Sequence, residues 1–225
     1  MHLAAVMVTC PERAADCAAT TADLAQTDLG VYPELVVDDG HGPPSLARLE
    51  RTWLRALERA ASIRRVDLVL LLEDDVRFCH CLRHNIESWR PVKERGEQFF
   101  ASLYHNAGFY RAAAHGPARD HYLVAIPKFA TGSQALLIAP MTLSWILRQW
   151  ATVTGNPDER MPVLAAQVTR VYMHVPSLVQ HVGVTTWPLL PSSPQGASGP
   201  MPQHQAPDFD PHFRAGGPTW TTTTR

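Results

Sequence analysis

Leu68-Val69-Leu70-Leu71-Leu72-Glu73-Asp74-Asp75-Val76 decides the fold of this chain. Residues 66–72 are apolar almost throughout, as a strand covered on both faces of a mostly parallel sheet requires. Three acids follow at once. Adjacent carboxylates at the end of a buried strand repel one another and resist desolvation unless a counter-charge is supplied. Two readings are open here: a metal site, or a solvated strand end in which one acid caps the next turn. Hard oxygen ligands suit Mg²⁺ or Mn²⁺, which bridge carboxylates to phosphate oxygens. Alternation along the strand sends Glu73 and Asp75 to one side and Asp74 to the other. Asp75 is therefore the expected metal contact, with Glu73 or Asp74 reaching a nucleotide or orienting the site.

Upstream of this run the pattern alternates. Residues 3–8 read as a short strand, and Thr9-Cys10-Pro11-Glu12-Arg13 as the loop that leaves it. The alanine-rich stretch 14–29 reads as helix, with Gly30 at the C-terminal stop position. Leu35-Val36-Val37 is a second strand, ended by the turn formers Asp38-Asp39-Gly40. Ser45 is an N-cap. Leu46, Leu49, Trp53, Leu54 and Leu57 then share one helical face, with Arg48, Arg51, Arg55 and Arg59 largely elsewhere. Strand, helix, strand, helix, strand implies right-handed βαβ units in an α/β fold. In such sheets ligands collect at the carboxyl ends of the strands. Thr9, Pro11 and Arg13, the pair Asp38-Asp39, and the three acids 73–75 all lie at those ends. Local alternatives stay open: Asp38-Asp39 as a solvated turn rather than a nucleoside contact, and Arg13 as an exposed helix-start arginine rather than a diphosphate contact.

The second half is less regular. Residues 99–104 and 122–126 read as strands that could pair as a hairpin, 135–138 as another strand, and 141–150 and 159–170 as helices. From about Pro188 onward Pro, Gly, Ser, Gln and Thr dominate, which divides the chain into one domain over residues 1–187 and a disordered or loosely docked tail over 188–225.

Composition narrows the function classes. The chain has 225 residues, 45% hydrophobic and 18% charged, enough for a single α/β domain. A formal net charge of −1 gives no footprint for nucleic acid or an anionic membrane. The first residues lack the basic start and cleavage site of a signal peptide, and no apolar run reaches the ~20 residues of a membrane span. Four cysteines, Cys10, Cys17, Cys79 and Cys81, are too few for a disulfide framework and fit reduced thiols in a cytoplasm. Cys79-His80-Cys81 is too closely spaced for a standard zinc half-site, with no clear second ligand pair.

The order of these motifs resembles that of GT-A glycosyltransferases, a Rossmann-like single-domain fold, and in particular the inverting N-acetylglucosaminyltransferases of the IV-like group. Leu72-Glu-Asp-Asp-Val76 is similar to their metal motif, and Thr131-Gly-Ser-Gln-Ala-Leu-Leu137 to the glycine segment beside the donor sugar. Pro176-Ser-Leu-Val-Gln-His-Val-Gly183 matches a Pro-Ser-Leu-x-Gln-His-Val-Gly segment of that group. The resemblance implies a nucleotide-sugar donor, in the first place a UDP-sugar, and Mn²⁺ or Mg²⁺ held by Asp75. Thr9, Asp38 and Asp39 would line the uridine pocket, and His181 would approach the metal or the diphosphate. Gly132, with Ser133 and Gln134, would lie against the sugar. His181 as a core histidine and Gly132 as a plain turn glycine are the structural alternatives.

An inverting transferase needs a base to take the proton of the acceptor hydroxyl. Asn156-Pro-Asp-Glu-Arg160 stands where the resemblance places it, with Asp158 as the candidate and Glu159 one residue away as competitor; Asp158 as a mere helix cap is the alternative. The chain is short beside secretory-pathway relatives of this kind, so the acceptor, a glycan or a small molecule, does not carry over. A haloacid-dehalogenase-type hydrolase needs a nucleophilic Asp after the first strand, where Thr9-Cys10-Pro11 stands. A nucleotidyltransferase needs a lysine-bearing glycine loop there, also missing. A sugar-nucleotide or glycan-binding domain without turnover is the reading from a different class.

Overall fold

The computed structural model describes residues 1–40, 45–105, 120–130, 132–182 and 205–216. The chain begins with β1 (Leu3–Thr9), α1 (Ala14–Ala25), β2 (Glu34–Val37), α2 (Leu46–Ser62) and β3 (Leu68–Glu73). Then come β4 (Val76–Phe78), α3 (Leu82–Ser88), α4 (Arg90–Lys93), β5 (Phe100–Ser102), β6 (Tyr122–Val124) and β7 (Ala135–Ile138). The described chain continues with α5 (Pro140–Gln149), α6 (Pro157–Ala165), β8 (Val171–His174) and β9 (Val179–His181). Seven strands form one sheet in the order β2-β1-β3-β7-β5-β8-β6, and β4 and β9 form a separate two-stranded sheet. Five of the seven strands point one way; β7 and β6 are reversed, so three neighbour pairs are parallel and three antiparallel. This is a single α/β domain with a mixed sheet flanked by helices.

The apolar run quoted above is buried on both sides, as its composition demands. Leu68, Val69, Leu70, Leu71 and Leu72 are all fully buried. Leu68, Leu70 and Leu72 pack with Ala5, Met7, Cys17 and Leu24 on the α1 side. Val69 and Leu71 pack with Val6, Val8, Trp53, Ala56 and Leu57 on the α2 side. Each such leucine contributes about 2 kcal/mol relative to an exposed one. Ser45 caps α2 by accepting from the Arg48 amide at 3.3 Å.

The two crossover helices therefore lie on opposite faces. The chain leaves β1 for β2 on one side and returns to β3 on the other, so the connection reverses between β1 and β3. Such a switch point opens a crevice at the carboxyl ends of the two strands, and Thr9 and Glu73 end them. Because β7 runs antiparallel to β3, with Leu72 opposite Ala135, the residues that lead into β7 reach the same crevice. β4 leaves β3 immediately and pairs with β9, placing His181 opposite Val76.

Several boundaries differ from the sequence reading. α1 ends at Ala25, before residue 29, because Thr27 Oγ1 turns back to the Leu24 carbonyl at 2.8 Å and Asp28 is spent on another helix. Its carboxylate accepts from the amides of Arg83 and His84, at 2.7 and 3.0 Å, and so caps α3. The strands at 100–102 and 122–124 do not form a hairpin; β8 lies between them. The second late helix stops at Ala165 instead of running to 170, and β8 begins at Val171. Of the tail expected to be disordered, residues 188–204 and 217–225 lie outside the described residues. Residues 205–216 return to the body of the domain, with Ala206 buried and Phe209 and Phe213 packed on the core. No helix among the described residues is long and apolar enough to cross a membrane.

One core residue makes stability depend on pH. His174 is 1% exposed, and its Nδ1 lies 2.7 Å from the Pro176 carbonyl while Nε2 has no hydrogen-bond partner. Burial, the dominant influence, pushes its pKa down to about 3. The unfolded chain takes up this proton below about pH 6.5 and the folded one does not until about pH 3, so stability falls as pH drops through that window. Between pH 7 and 5 this group is expected to remove about 2 kcal/mol. Urea unfolding at the two pH values should show that loss in the wild type and not in His174→Asn, which can still donate to Pro176. An equal pH dependence in both proteins sinks the assignment.

Candidate functional site

The three acids at the end of β3 converge with groups from three other parts of the chain. Thr9, the last residue of β1, donates its hydroxyl to Asp74 Oδ2 at 2.6 Å. Arg13, only 7% exposed, places Nη2 2.9 Å from Asp74 Oδ1 and also pairs with Asp75. From β9, His181 Nε2 lies 2.9 Å from Asp75 Oδ2, and the Val182 amide donates to the Asp75 carbonyl at 2.9 Å. From the lead-in to β7, Ser133 donates to Glu73 Oε1 and Gln134 Nε2 lies 3.4 Å from Glu73 Oε2. The Glu73 amide donates to the Gln134 carbonyl at 3.1 Å.

Thr20, which the sequence reading passed over as part of an alanine-rich helix, fixes the turn itself. Its hydroxyl donates to the carbonyls of Asp74 and Val76, at 2.7 and 3.0 Å, and accepts from the Val76 amide at 3.1 Å. Those backbone groups would otherwise be stranded where β3 passes into β4. A threonine on a helix carries no sequence signal for such a task.

The electrostatics are those of an excess of negative charge. Burial, with the Asp75 charge added, pushes the Glu73 carboxyl up to about 7. Burial likewise raises Asp74 to about 6, against the pull of Arg13. Asp75 goes the other way: burial opposes its ionisation, but His181 and Arg13 together outweigh it and hold the carboxyl below its usual range. His181 is raised in turn, the contact with Asp75 overcoming the effect of burial. Asp75 Oδ1 is buried with no hydrogen-bond partner. Among the described residues, Glu73, Asp75 and His181 form the His/Cys/Asp/Glu group able to hold a metal ion, with one ligand atom from each lying within 4.8 Å of the others. Two carboxylates and an imidazole suit a divalent cation of the Mn²⁺ or Mg²⁺ kind. The orphaned Oδ1 and the surplus carboxylate charge fit it too.

Glu73, Asp75, Ser133, Gln134 and His181 line a cavity of about 190 Å³, with Trp53 as an apolar wall. Asn156, Pro157 and Asp158, at the start of α6, line it from across. The structure separates the two neighbouring acids there. Glu159 Oε2 accepts from the Asn156 amide at 3.3 Å, capping its own helix, and is not on the cavity wall. Asp158 is on the wall, and its pKa is raised by burial first and by the Glu159 charge second. Behind them Arg160 ties α6 to α2, through Glu50 at 2.9 Å and across the Trp150 ring at 4.6 Å.

Other expected site residues lie elsewhere. Asp38 is 2% exposed and pairs with Arg48, which is buried and not on the outer face where helical spacing put it. A carboxylate this deep needs a cation, and Arg48 is in reach one turn inside α2. Asp39 is exposed, with Arg55 4.0 Å away. Pro11 lines a separate apolar groove along α1, about 740 Å³, which Thr9 also borders. Gly132 has φ +113°, a conformation that disfavours any side chain, and a Cβ there would stand 2.7 Å from Gln134 Oε1 and 3.4 Å from the Tyr104 ring. Its local role is to let Gln134 fold over it. Thr131 and Gly183 lie outside the described residues. The four cysteines are free; burial foremost pushes Cys10 and Cys79 up to about 11, and Cys79 donates to the Phe213 carbonyl at 3.0 Å. Among the described residues, the group able to hold a metal contains none of the four cysteines.

A scan against protein-family models finds no match, and a search of curated protein sequences finds none either. Among solved structures the chain is similar to A197 from STIV, with 11% identity and a TM-score of 0.49 over 97% of this chain and 100% of that one. It is also similar to a glycosyltransferase involved in the glycosylation of the major capsid of PBCV-1, with 11% identity and a TM-score of 0.49 over 83% of this chain and 95% of that one. A third likeness is to the glycosyltransferase GlyE of Streptococcus pneumoniae TIGR4, with 13% identity and a TM-score of 0.45 over 76% of this chain and 45% of that one.

Proposed function

We propose that this chain is a metal-dependent, inverting GT-A glycosyltransferase that moves a sugar from a nucleoside diphosphate, in the first place UDP, to an acceptor hydroxyl. The observation that carries the reading is the meeting of Glu73, Asp75 and His181 within 4.8 Å, in a cavity whose opposite wall holds Asp158. The sequence resemblance at residues 72–76 and 176–183 supports the same reading. Asp75 and His181 would hold Mn²⁺ or Mg²⁺, with Glu73 in support. When bound, the ion supplies positive charge to the diphosphate as the bond to the sugar breaks. Arg13 acts as the internal counter-ion of Asp74 and Asp75, keeping the cluster folded and Asp75 ionised. Thr9, at the end of β1, borders the nucleoside, while Asp38 is spent on Arg48; Ser133 and Gln134 face the sugar.

Asp158 takes the proton of the acceptor hydroxyl as its oxygen bonds to the anomeric carbon and the nucleoside diphosphate departs from the opposite face. Burial, with the Glu159 charge added, raises the Asp158 pKa and so makes the carboxylate a stronger base than an ordinary aspartate. The sugar is a hexose or an N-acetylhexosamine, and the acceptor a glycan or a small molecule.

Calorimetry of UDP with and without Mn²⁺, followed by UDP release from a panel of UDP-sugars, tests the proposal. Metal-dependent binding and release are expected. UDP that binds equally well without metal, or not at all, defeats it. Binding with no release across a broad acceptor panel favours a non-catalytic binding domain instead.

A further inference from the structure

Residues 205–216 come back across the two-stranded sheet β4–β9, whose last residue, His181, meets Asp75. The contacts are specific and lie one residue from the site. The Gln180 side chain clamps the backbone of Ala206 in both directions: Nε2 donates to the Ala206 carbonyl at 3.2 Å, and Oε1 accepts from the Ala206 amide at 2.8 Å. Two residues on, Asp208 Oδ1 accepts from the Ser177 amide at 3.1 Å, just before β9. Its Oδ2 lies 3.1 Å from Nε2 of His105, a residue only 1% exposed and three residues beyond β5. On the β4 side, the Pro211 carbonyl accepts from the His80 amide at 2.9 Å, and the Phe213 carbonyl from Asn85 Nδ2 at 2.9 Å.

On its core side this sheet is held by the buried Val76, Phe78 and Val179 and by the Phe78 amide, which donates to Asp23 Oδ2 at 2.7 Å. Residues 205–216 add a second set of contacts, to Gln180 and Ser177. β4 and β9 are three residues each and lie outside the seven-stranded sheet, and a two-stranded ribbon of that size is marginal alone. It delivers His181 to the acidic site. Residues 205–216 act through Gln180, the neighbour of His181 in β9, and the loss of groups that orient a metal ligand costs up to about 10- to 100-fold in affinity.

We propose that residues 205–216 form a strap that sets the position of His181 against Asp75, with Gln180 and Asp208 as its positioning residues. This rests on the function proposed above, and it gives a task to a segment whose composition suggested none. The strap presses β9 onto β4, so the imidazole arrives at the carboxylate already oriented.

Amide hydrogen exchange and Mn²⁺-dependent UDP binding, measured on the full chain, test it together. In Gln180→Ala, exchange across residues 76–78 and 179–182 is expected to rise about tenfold or more while β1 and β3 stay protected. UDP affinity in Mn²⁺ should fall about 10- to 100-fold. Gln180→Glu keeps the acceptor for the Ala206 amide and should fall between, and Asp208→Ala should reproduce the Gln180→Ala pattern. Unchanged exchange in the Gln180 and Asp208 variants overturns the strap. Raised exchange with unchanged UDP affinity overturns the positioning role and leaves a purely structural one. If the wild type shows no Mn²⁺-dependent UDP binding, the function proposed for the site is what fails, and the positioning role falls with it.

Discussion

Replacing Asp75 by Asn is expected to abolish Mn²⁺-dependent UDP binding, weakening it by at least about a hundredfold, because a direct ligand matters more than the outer partners whose loss costs 10- to 100-fold. The reasoning starts from charge. Asp75 is the one acid of the three whose carboxyl is held below its usual range, by His181 and Arg13, and its buried Oδ1 has no hydrogen-bond partner. Asn keeps the shape and can still accept from His181, but it brings no charge to a cation. The fold should survive, since Arg13 retains Asp74 at 2.9 Å and Asp74 retains Thr9 at 2.6 Å. Removing one partner of an isolated buried pair costs about 3–5 kcal/mol; here a second carboxylate remains, and the loss should be smaller. Calorimetry in Mn²⁺, with thermal unfolding alongside, separates the two effects. Retained metal-dependent binding in a folded Asp75→Asn protein would falsify the assignment of the ligand.

Asp158→Asn should leave UDP binding within about threefold of wild type while lowering turnover about 10²- to 10⁴-fold, the range general base catalysis supplies. The companion variant Glu159→Gln makes the result interpretable. Glu159 receives the Asn156 amide and caps α6; Gln keeps an acceptor oxygen there, so the variant loses only the charge at the helix start, about 0.5 kcal/mol of stability, and little turnover. Asp158 faces the cavity with a raised pKa, so the wild-type rate should rise with pH through an ionisation above the ordinary aspartate range, and that limb should vanish in Asp158→Asn. Steady-state rates of UDP release from pH 4 to 8 check both points. A rate loss in Glu159→Gln that matches or exceeds that of Asp158→Asn would transfer the role to the neighbour.

Much of this site is legible in one dimension. The pattern Leu68 to Asp75 specifies a doubly covered strand with acids at its carboxyl end, because only a fully apolar run can be buried on both faces and only its end can reach water. The alternation of strands and helices through residue 73 then dictates crossovers on both faces, and with them a crevice between β1 and β3 with Thr9 and Arg13 at its rim; that Arg13 is buried against Asp74 and Asp75 and that Thr9 bonds Asp74 came from the structure. Local chemistry accounts for the strand, the crossovers and the crevice without long-range information. It does not separate Asp158 from Glu159, since both are acids in the first turn of one helix; the cavity on one side and the capping amide on the other make that distinction.

What the sequence by itself determined is the strand that carries the acids, the βαβ frame that aims them, and the residue types able to hold a cation. Only the tertiary structure decided which groups complete them. The reversal of β7 brings Ser133 and Gln134 to Glu73, and the small sheet β4–β9 brings His181 to Asp75 across 106 residues. Thr20 and Arg48 take up a stranded turn and a buried carboxylate. Residues 205–216, polar and proline-rich in composition, pack because the body of the domain offers Gln180, Ser177 and Asn85 as partners. The physical reason is common to all of them: a hydrogen bond or ion pair between distant residues depends on the register and direction of strands, and neither is written in the local pattern of apolar and polar side chains.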